Sequence, residues 1–215
     1  MLLTPSFLPE LIEAVTEAIT KNSDKITLLD QAIGDGDHVT NLQRGLATLM
    51  TQRVDLSQLD WPAAWQKIGM TVMTAVGGAS GSLYATLFLA MGKMALGKDM
   101  NVQRFSEVFT QAVEAVKHRG KSDVGEKTML DVLVPVAEYL QKSAAVSMPL
   151  STLLVQTKQV AIMGRESTRD MLATKGRASF LGERSKGHID AGAMSSQLII
   201  CAVVDVLLAH LTSPP

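Results

Sequence analysis

Apolar residues recur at three- and four-residue intervals along almost the whole chain, and no segment shows period-2 alternation rich in β-branched residues. The first pattern belongs to helices with one buried face and the second to half-buried strands, so an all-α fold is expected. Thr4-Pro5 opens a first stripe of Leu8, Leu11, Ile12, Val15 and Ile19. Val39, Leu42, Leu46 and Leu49 mark a second. Asp60 caps a third, with Pro62 in its first turn and Trp65, Ile68 and Val72 on one face. Leu83, Leu87, Phe88, Met91 and Met94 form the fourth, which Gly97 ends. Asn101 starts the fifth, through Phe105, Val108, Phe109, Ala112 and Val116. Thr128 to Leu140 reads as the sixth, kinked at Pro135. Ser147 and Pro149 begin a seventh that runs towards Leu172, and Ala193 to Leu211 is the eighth. About eight amphipathic helices of roughly 10–20 residues suit an antiparallel bundle or barrel. The 215 residues are read as one domain, 1–215.

Composition narrows the function classes. The net charge is −1 and no basic block occurs, so direct nucleic-acid binding is not expected, because phosphate neutralisation needs clustered Lys and Arg. The single cysteine, Cys201, fits a reducing compartment and sits in an apolar run, as a small buried hydrophobe would. Glu10 and Glu13 follow an N-terminus without a basic stretch, which is unlike a signal peptide. Ile68 to Gly92 lacks charges, but Gly77, Gly78, Gly81 and several hydroxyl residues interrupt it, so no membrane span is expected. The expected location is the cytoplasm.

One polar stretch breaks the helical pattern most sharply. Asp30 to Asn41 reads Asp-Gln-Ala-Ile-Gly-Asp-Gly-Asp-His-Val-Thr-Asn. Its glycines allow tight turns, so Asp30, Asp35 and Asp37 can converge on one point. Converging carboxylates repel unless a cation lies between them, and their hard oxygens suit Mg²⁺ or Ca²⁺ rather than zinc. The spacing is not that of an EF-hand loop, since no Glu stands at the twelfth position. Spacing alone leaves two readings open: a Mg²⁺ site, or an acidic turn with Asp37 capping the next helix.

Three further loops could carry chemistry: Gly77–Gly81, His118–Thr128 and Lys175–Gly192. In an up-and-down bundle, all four loops fall at the same end. Gly77-Gly78-Ala79-Ser80-Gly81 opens a helix, where free N–H groups bind anions such as phosphate. Thr128 offers a hydroxyl at the start of the sixth helix, and Lys175 and Arg177 offer charge for phosphate. About twenty residues without period, from Ala173 to Gly192, suggest a functional loop. Together these features suit a Mg²⁺-nucleotide. Yet neither Gly-x-x-x-x-Gly-Lys-[Ser/Thr] nor Gly-x-Gly-x-x-Gly occurs, and no nucleophile triad is readable.

Four strings, in order, resemble the nucleotide-binding L subunit of dihydroxyacetone kinase. They are Ile33-Gly34-Asp35-Gly36-Asp37-His38 with Asn41; Gly77-Gly78-Ala79-Ser80-Gly81; Gly125-Glu126-Lys127-Thr128-Met129; and Gly176-Arg177-Ala178-Ser179 through Gly182-Glu183-Arg184-Ser185 to Gly187-His188. The resemblance covers nearly the whole chain. It implies an eight-helix barrel with nucleotide at one end, and two Mg²⁺ held by Asp30, Asp35 and Asp37 against the phosphates of ADP or ATP. It places His38, Thr40, Asn41, Ala79, Ser80, Gly120, Met129, Arg177 and Asp190 around the nucleotide, with Thr128 and Ala191 beside them. Arg177 would stabilise phosphate charge during transfer.

The resemblance further implies that the ketose is held covalently on a separate K subunit. A phosphotransferase-system M subunit would rephosphorylate the bound ADP, and a homodimer is also compatible. A different class remains in view: a nucleotide-loaded module acting through protein partners such as a transcription regulator. Some positions depart from the family pattern. Val39 stands for a usual Gly and is expected to narrow access beside the metal. Ser82 and Ala191 stand for Pro, Glu126 for Asp and Met194 for Thr.

Overall fold

The expected stripes become helices that close on themselves. The computed structural model describes residues 4–97, 99–146 and 148–212. Among them the α-helices are α1 (Leu8–Lys21), α2 (Ser23–Ile33), α3 (His38–Ser57), α4 (Trp61–Ala75), α5 (Gly78–Met94), α6 (Val102–Gly120), α7 (Leu130–Ala144), α8 (Leu150–Ser167) and α9 (Ala191–Thr212), and no strand is present. α1 packs on α3. From α3 each helix packs on the next in chain order, and α9 returns to α1. Eight staves therefore form a closed antiparallel barrel, as the periodicity led one to expect.

The ninth helix, α2, is the first correction. The stretch before the aspartates reads from sequence as a lead-in, but Ser23–Ile33 is helical. It is too short and too polar to declare itself, with only Ile26 and Ile33 fully buried. Asn22 makes the corner between the two helices, its side-chain amide donating to the Ala18 carbonyl at 2.9 Å. α2 is not a stave. It packs across the end of the barrel against α3, α9 and the segment that follows α8.

The remaining boundaries shift in small ways. Pro5–Phe7 is a separate 3₁₀ turn ahead of α1. Asp60 and Asn101 cap their helices as expected, accepting from Ala63 N at 2.9 Å and Arg104 N at 2.8 Å. The proposed start at Ser147 lies outside the described residues, and Pro149 directly precedes α8. α8 stops at Ser167, short of Leu172, and a 3₁₀ turn Thr168–Asp170 follows. α7 runs on through Pro135. Proline has no N–H for the carbonyl four residues back, here that of Asp131. Gly164 of α8 packs directly on that carbonyl, and a Cβ at 164 would lie 2.3 Å from it.

Core side chains from all eight staves surround an apolar cavity of about 310 Å³. Trp61 stacks on Trp65 and Phe105 on Phe109, and the two pairs meet at a tilt where α4 and α6 begin, at the end away from the aspartates. The uncharged span 68–92 is divided between α4 and α5. α9 is long and apolar enough to cross a membrane, with mean hydropathy 1.9. In the barrel it is a stave instead, packed against α1, α7 and α8.

Candidate functional site

The aspartates do converge. One carboxylate oxygen from each of Asp30, Asp35 and Asp37 lies within 4.8 Å of the others. Asp30 sits on the last turn of α2 rather than in a loop. The chain must then fold back over its carboxylate, and Gly34 permits this: a Cβ there would lie 2.1 Å from Asp30 Oδ1. Asp37 precedes α3 but makes no side-chain cap bond. The first N–H of α3, that of His38, goes instead to Asp30 Oδ2 at 3.1 Å. The capping-turn alternative thus explains one carboxylate, and it is not Asp37. Hard oxygens gathered beside a helix N-terminus are a donor set that fits Mg²⁺.

The segment between α8 and α9, called the lid below, lies beside this cluster and reaches it through Arg177. It is not structureless: Arg177–Ser185 forms 3₁₀ turns broken at Gly182. Ala173, Ala178 and Leu181 pack on Ile33 as a small second core, so α2 is the seat of the lid. Ser185 ties it internally, accepting from Ala173 N at 3.0 Å and donating to the Gly182 carbonyl at 2.7 Å. Arg177 thereby reaches the aspartates, with Nε 2.6 Å from Asp35 Oδ2. Lys175 does not join it. Its ammonium pairs with Glu126 at 3.5 Å.

The four loops share one end, as expected. The Asn41 side chain, buried and bonded to Arg44 at 3.0 Å, abuts Gly77 of the glycine loop. Gly120 lies against Leu83 of α5, and Thr174 of the lid donates to Glu126 Oε1 at 3.0 Å. Thr40 and Ala79 are exposed in first helical turns beside half-buried Ser80. Thr128 is half-buried at the entry to α7, and Asp190 directly precedes α9. Two further expected residues, Met129 and Ala191, are buried in the core. Val39, expected to narrow access beside the metal, is buried in the core.

Burial sets the titration of three groups. His38 is pulled below the ordinary histidine range by desolvation, with the nearby aspartates opposing. Its Nε2 lies 2.9 Å from Ser195 Oγ, which lies 3.0 Å from Tyr84 OH; Tyr84 OH in turn lies 2.8 Å from Ser196 Oγ. Burial pushes the Tyr84 hydroxyl up to about 12. Burial also pushes the Asp190 carboxyl up to about 7, opposed by the bond its Oδ2 accepts from Ala193 N at 2.7 Å.

Sequence reasoning missed Asp131, Lys127 and the chain of hydroxyls behind His38. Asp131 is fully buried and arranges the third loop, accepting from Gly125 N at 2.5 Å and Thr128 N at 2.7 Å. The spacing Thr128-x-x-Asp131 is that of a capping box and could have revealed it. No local pattern marks Tyr84 or Ser195, whose partners come from other helices.

Comparisons with known proteins bear on the family and the fold. A family model described as the DAK2 domain matches residues 32–205. The ADP-binding subunit DhaL of PEP-dependent dihydroxyacetone kinase 1 from Listeria innocua is 40% identical over 87% of this chain and 89% of its own length. The corresponding Escherichia coli subunit is 36% identical over 83% and 86%. The PTS-dependent subunit from Lactococcus lactis is 38% identical over 89% and 92%. Among solved structures, the dihydroxyacetone kinase from C. freundii in complex with AMP-PNP and Mg²⁺ superposes with a TM-score of 0.71 at 22% identity. The match covers 95% of this chain and 34% of that one, a likeness of fold.

Proposed function

The chain belongs to the DAK2-domain family of dihydroxyacetone kinase ADP-binding subunits, and from that premise we propose that it binds ADP or ATP with two Mg²⁺ and passes a phosphoryl group to dihydroxyacetone or a related short ketose. The ketose is held on a separate K subunit, and the bound ADP is rephosphorylated in place by a phosphotransferase-system M subunit. The relatives' names, PEP-dependent and PTS-dependent, support that donor and a cytoplasmic setting.

One observation carries the reading: three carboxylates with oxygens within 4.8 Å of one another, one of them, Asp35, paired with Arg177 from the lid. Asp30, Asp35 and Asp37 would hold Mg²⁺, which when bound neutralises phosphate charge. The chain's own groups do the rest. The first turns of α3 and α5, at Thr40 and at Ala79 and Ser80, present N–H groups to phosphate oxygens. Arg177 offers a planar fork that matches phosphate. Ser195 fixes the His38 ring at the mouth. No nucleophile is required of this chain, because phosphoryl transfer is accelerated by positioning and charge stabilisation.

Native mass spectrometry of the dialysed protein tests this directly. A mass excess of one ADP and two Mg²⁺ is expected. Protein that stays bare after adding Mg²⁺ with ADP or ATP overturns the site. Mixing with K and M subunits then separates the classes: transfer to the ketose supports the kinase subunit, whereas binding to a transcription regulator without turnover supports the partner module.

A further inference from the structure

Lys127 stands out because nothing in the proposed chemistry uses it. It is only 1% exposed, and a buried ammonium is rare unless its donors are all taken. Its backbone is left-handed, with φ 62°, a conformation that costs an L-residue and favours glycine. A long cationic side chain at a strained, buried position needs a reason beyond packing.

The partners supply one. An ammonium has three donors, and the Lys127 Nζ meets three backbone carbonyls: those of Thr168, Arg169 (3.2 Å) and His188. Thr168 and Arg169 are where the chain leaves α8 for the lid, and His188 is where it comes back. The two roots also bind each other, through Gly187 N to the Arg169 carbonyl at 2.8 Å and Asp190 N to Thr168 Oγ1 at 3.1 Å. Next to Lys127, Glu126 grips the lid higher up. Its carboxylate accepts from Thr174 Oγ1 at 3.0 Å and pairs with Lys175 at 3.5 Å, and its other oxygen accepts from Asp123 N at 2.7 Å.

We propose that Lys127, assisted by Glu126, is a positioning residue that clasps the two roots of the lid and so sets how slowly nucleotide leaves the site. Arg177 reaches the aspartates from the far side of the lid, so its position depends on where those roots are held. The Lys127 ammonium is taken up by backbone carbonyls at the roots, so it acts through the lid. The proposal rests on the nucleotide reading above, and its test is built to fail separately.

The experiment compares wild type, Lys127→Met and Glu126→Ala by two measurements. The first follows binding and release of Mg²⁺ with mant-ADP, a fluorescent nucleotide, chased by excess ADP. The second is backbone hydrogen exchange without nucleotide. Met keeps the volume of the stem and removes all three donors. Release is expected to quicken by about tenfold or more, as befits lost bonds to a charged group, while the association rate stays within about twofold, since such changes act mainly on dissociation. Exchange should rise between residues 168 and 190 and stay unchanged in the eight staves. Glu126→Ala, at a half-exposed position, should quicken release by about threefold, the loss of a single partly exposed contact.

A folded Lys127→Met protein with wild-type release and wild-type lid exchange overturns the proposal. If the Met variant does not fold, Glu126→Ala decides, and unchanged release and lid exchange overturn it. Wild type that fails to bind mant-ADP overturns the nucleotide reading alone, and hydrogen exchange still decides the clasp.

Discussion

The Nε of Arg177 lies 2.6 Å from the Asp35 carboxylate, although one stands on the lid and the other in the turn between α2 and α3. This pair makes two distant segments into one site. Its guanidinium side is mostly exposed, and exposed ion pairs contribute about 0–1 kcal/mol. Arg177→Met is therefore expected to leave the melting temperature within about 2 °C of wild type. Phosphoryl transfer in the reconstituted system should fall by about 10²-fold, the scale of one lost charge-stabilising donor. Unaltered transfer would remove Arg177 from the mechanism.

The aspartate cluster makes a prediction of opposite signs. Without metal, Asp37→Asn relieves repulsion among three close carboxylates at the one that makes no side-chain cap bond, so the variant should melt at or above wild type. With Mg²⁺ and ADP at about 100 times the dissociation constant, wild type should gain about 2.7 kcal/mol, and EDTA should reverse the gain. The variant should gain little. Thermal scans with and without EDTA check both halves, and an equal ligand-induced shift in the variant would count against these ligands.

Asp190 gives stability an unusual pH slope. Its folded value is about 7 and an unfolded aspartate sits near ~3.9. Between those pH values the unfolded chain ionises while the folded chain keeps its proton, so this residue's contribution is full below about pH 4 and is lost as pH rises to about 7. Asp190→Asn keeps the acceptor for Ala193 N and cannot ionise. The variant's melting temperature relative to wild type should climb by a few degrees from pH 4.5 to pH 7.5. A flat difference across that range would disprove the buried, protonated carboxyl.

Gly164→Ala should destabilise the packing of α8 on α7. The new methyl would meet the Asp131 backbone carbonyl at 2.3 Å, a clash that no side-chain rotation relieves, so α7 and α8 must part. Overpacking of this kind costs about 1–3 kcal/mol, or roughly 2–10 °C for a chain this size. A differential scan measures it, and a wild-type melting temperature would mean the helices separate freely.

Phe180 is 87% exposed on the lid, three residues after the arginine that pairs with Asp35. An aromatic so placed suits a partner surface. Phe180→Ser should leave nucleotide release unchanged and weaken transfer to ketose on the K subunit by about tenfold, a 1.4 kcal/mol contact. Titrating the K subunit against the variant reads this as a raised half-saturation, and equal titrations would place the partner elsewhere.

Much of the molecule is legible without coordinates. Every barrel stave has its stripe: Leu8, Ile12, Val15 and Ile19 of α1 are all buried, as their spacing demands. Asp30, Asp35 and Asp37 are close in sequence around two glycines, so their meeting is a local matter. Elements whose reason for folding is remote are not legible. α2 shows two fully buried residues in eleven, too few to form a stripe, and it is helical because α3, α9 and the lid pack on it. The lid looks aperiodic because its order comes from Ser185 and Lys127 binding particular backbone atoms and Glu126 binding the Thr174 and Lys175 side chains.

What the sequence by itself determined is the fold class, the number of staves and the end at which the polar loops gather, because helical periodicity and chain order are properties of neighbouring residues. Only the tertiary structure decided that α9, apolar enough for a membrane, is a stave of a closed barrel. It alone set Arg177 on Asp35, His38 on Ser195 and Lys127 between the roots of the lid. Each of those contacts joins segments far apart in the chain. Their energy appears only once burial of the apolar faces has met the entropic cost of closing the loops between them.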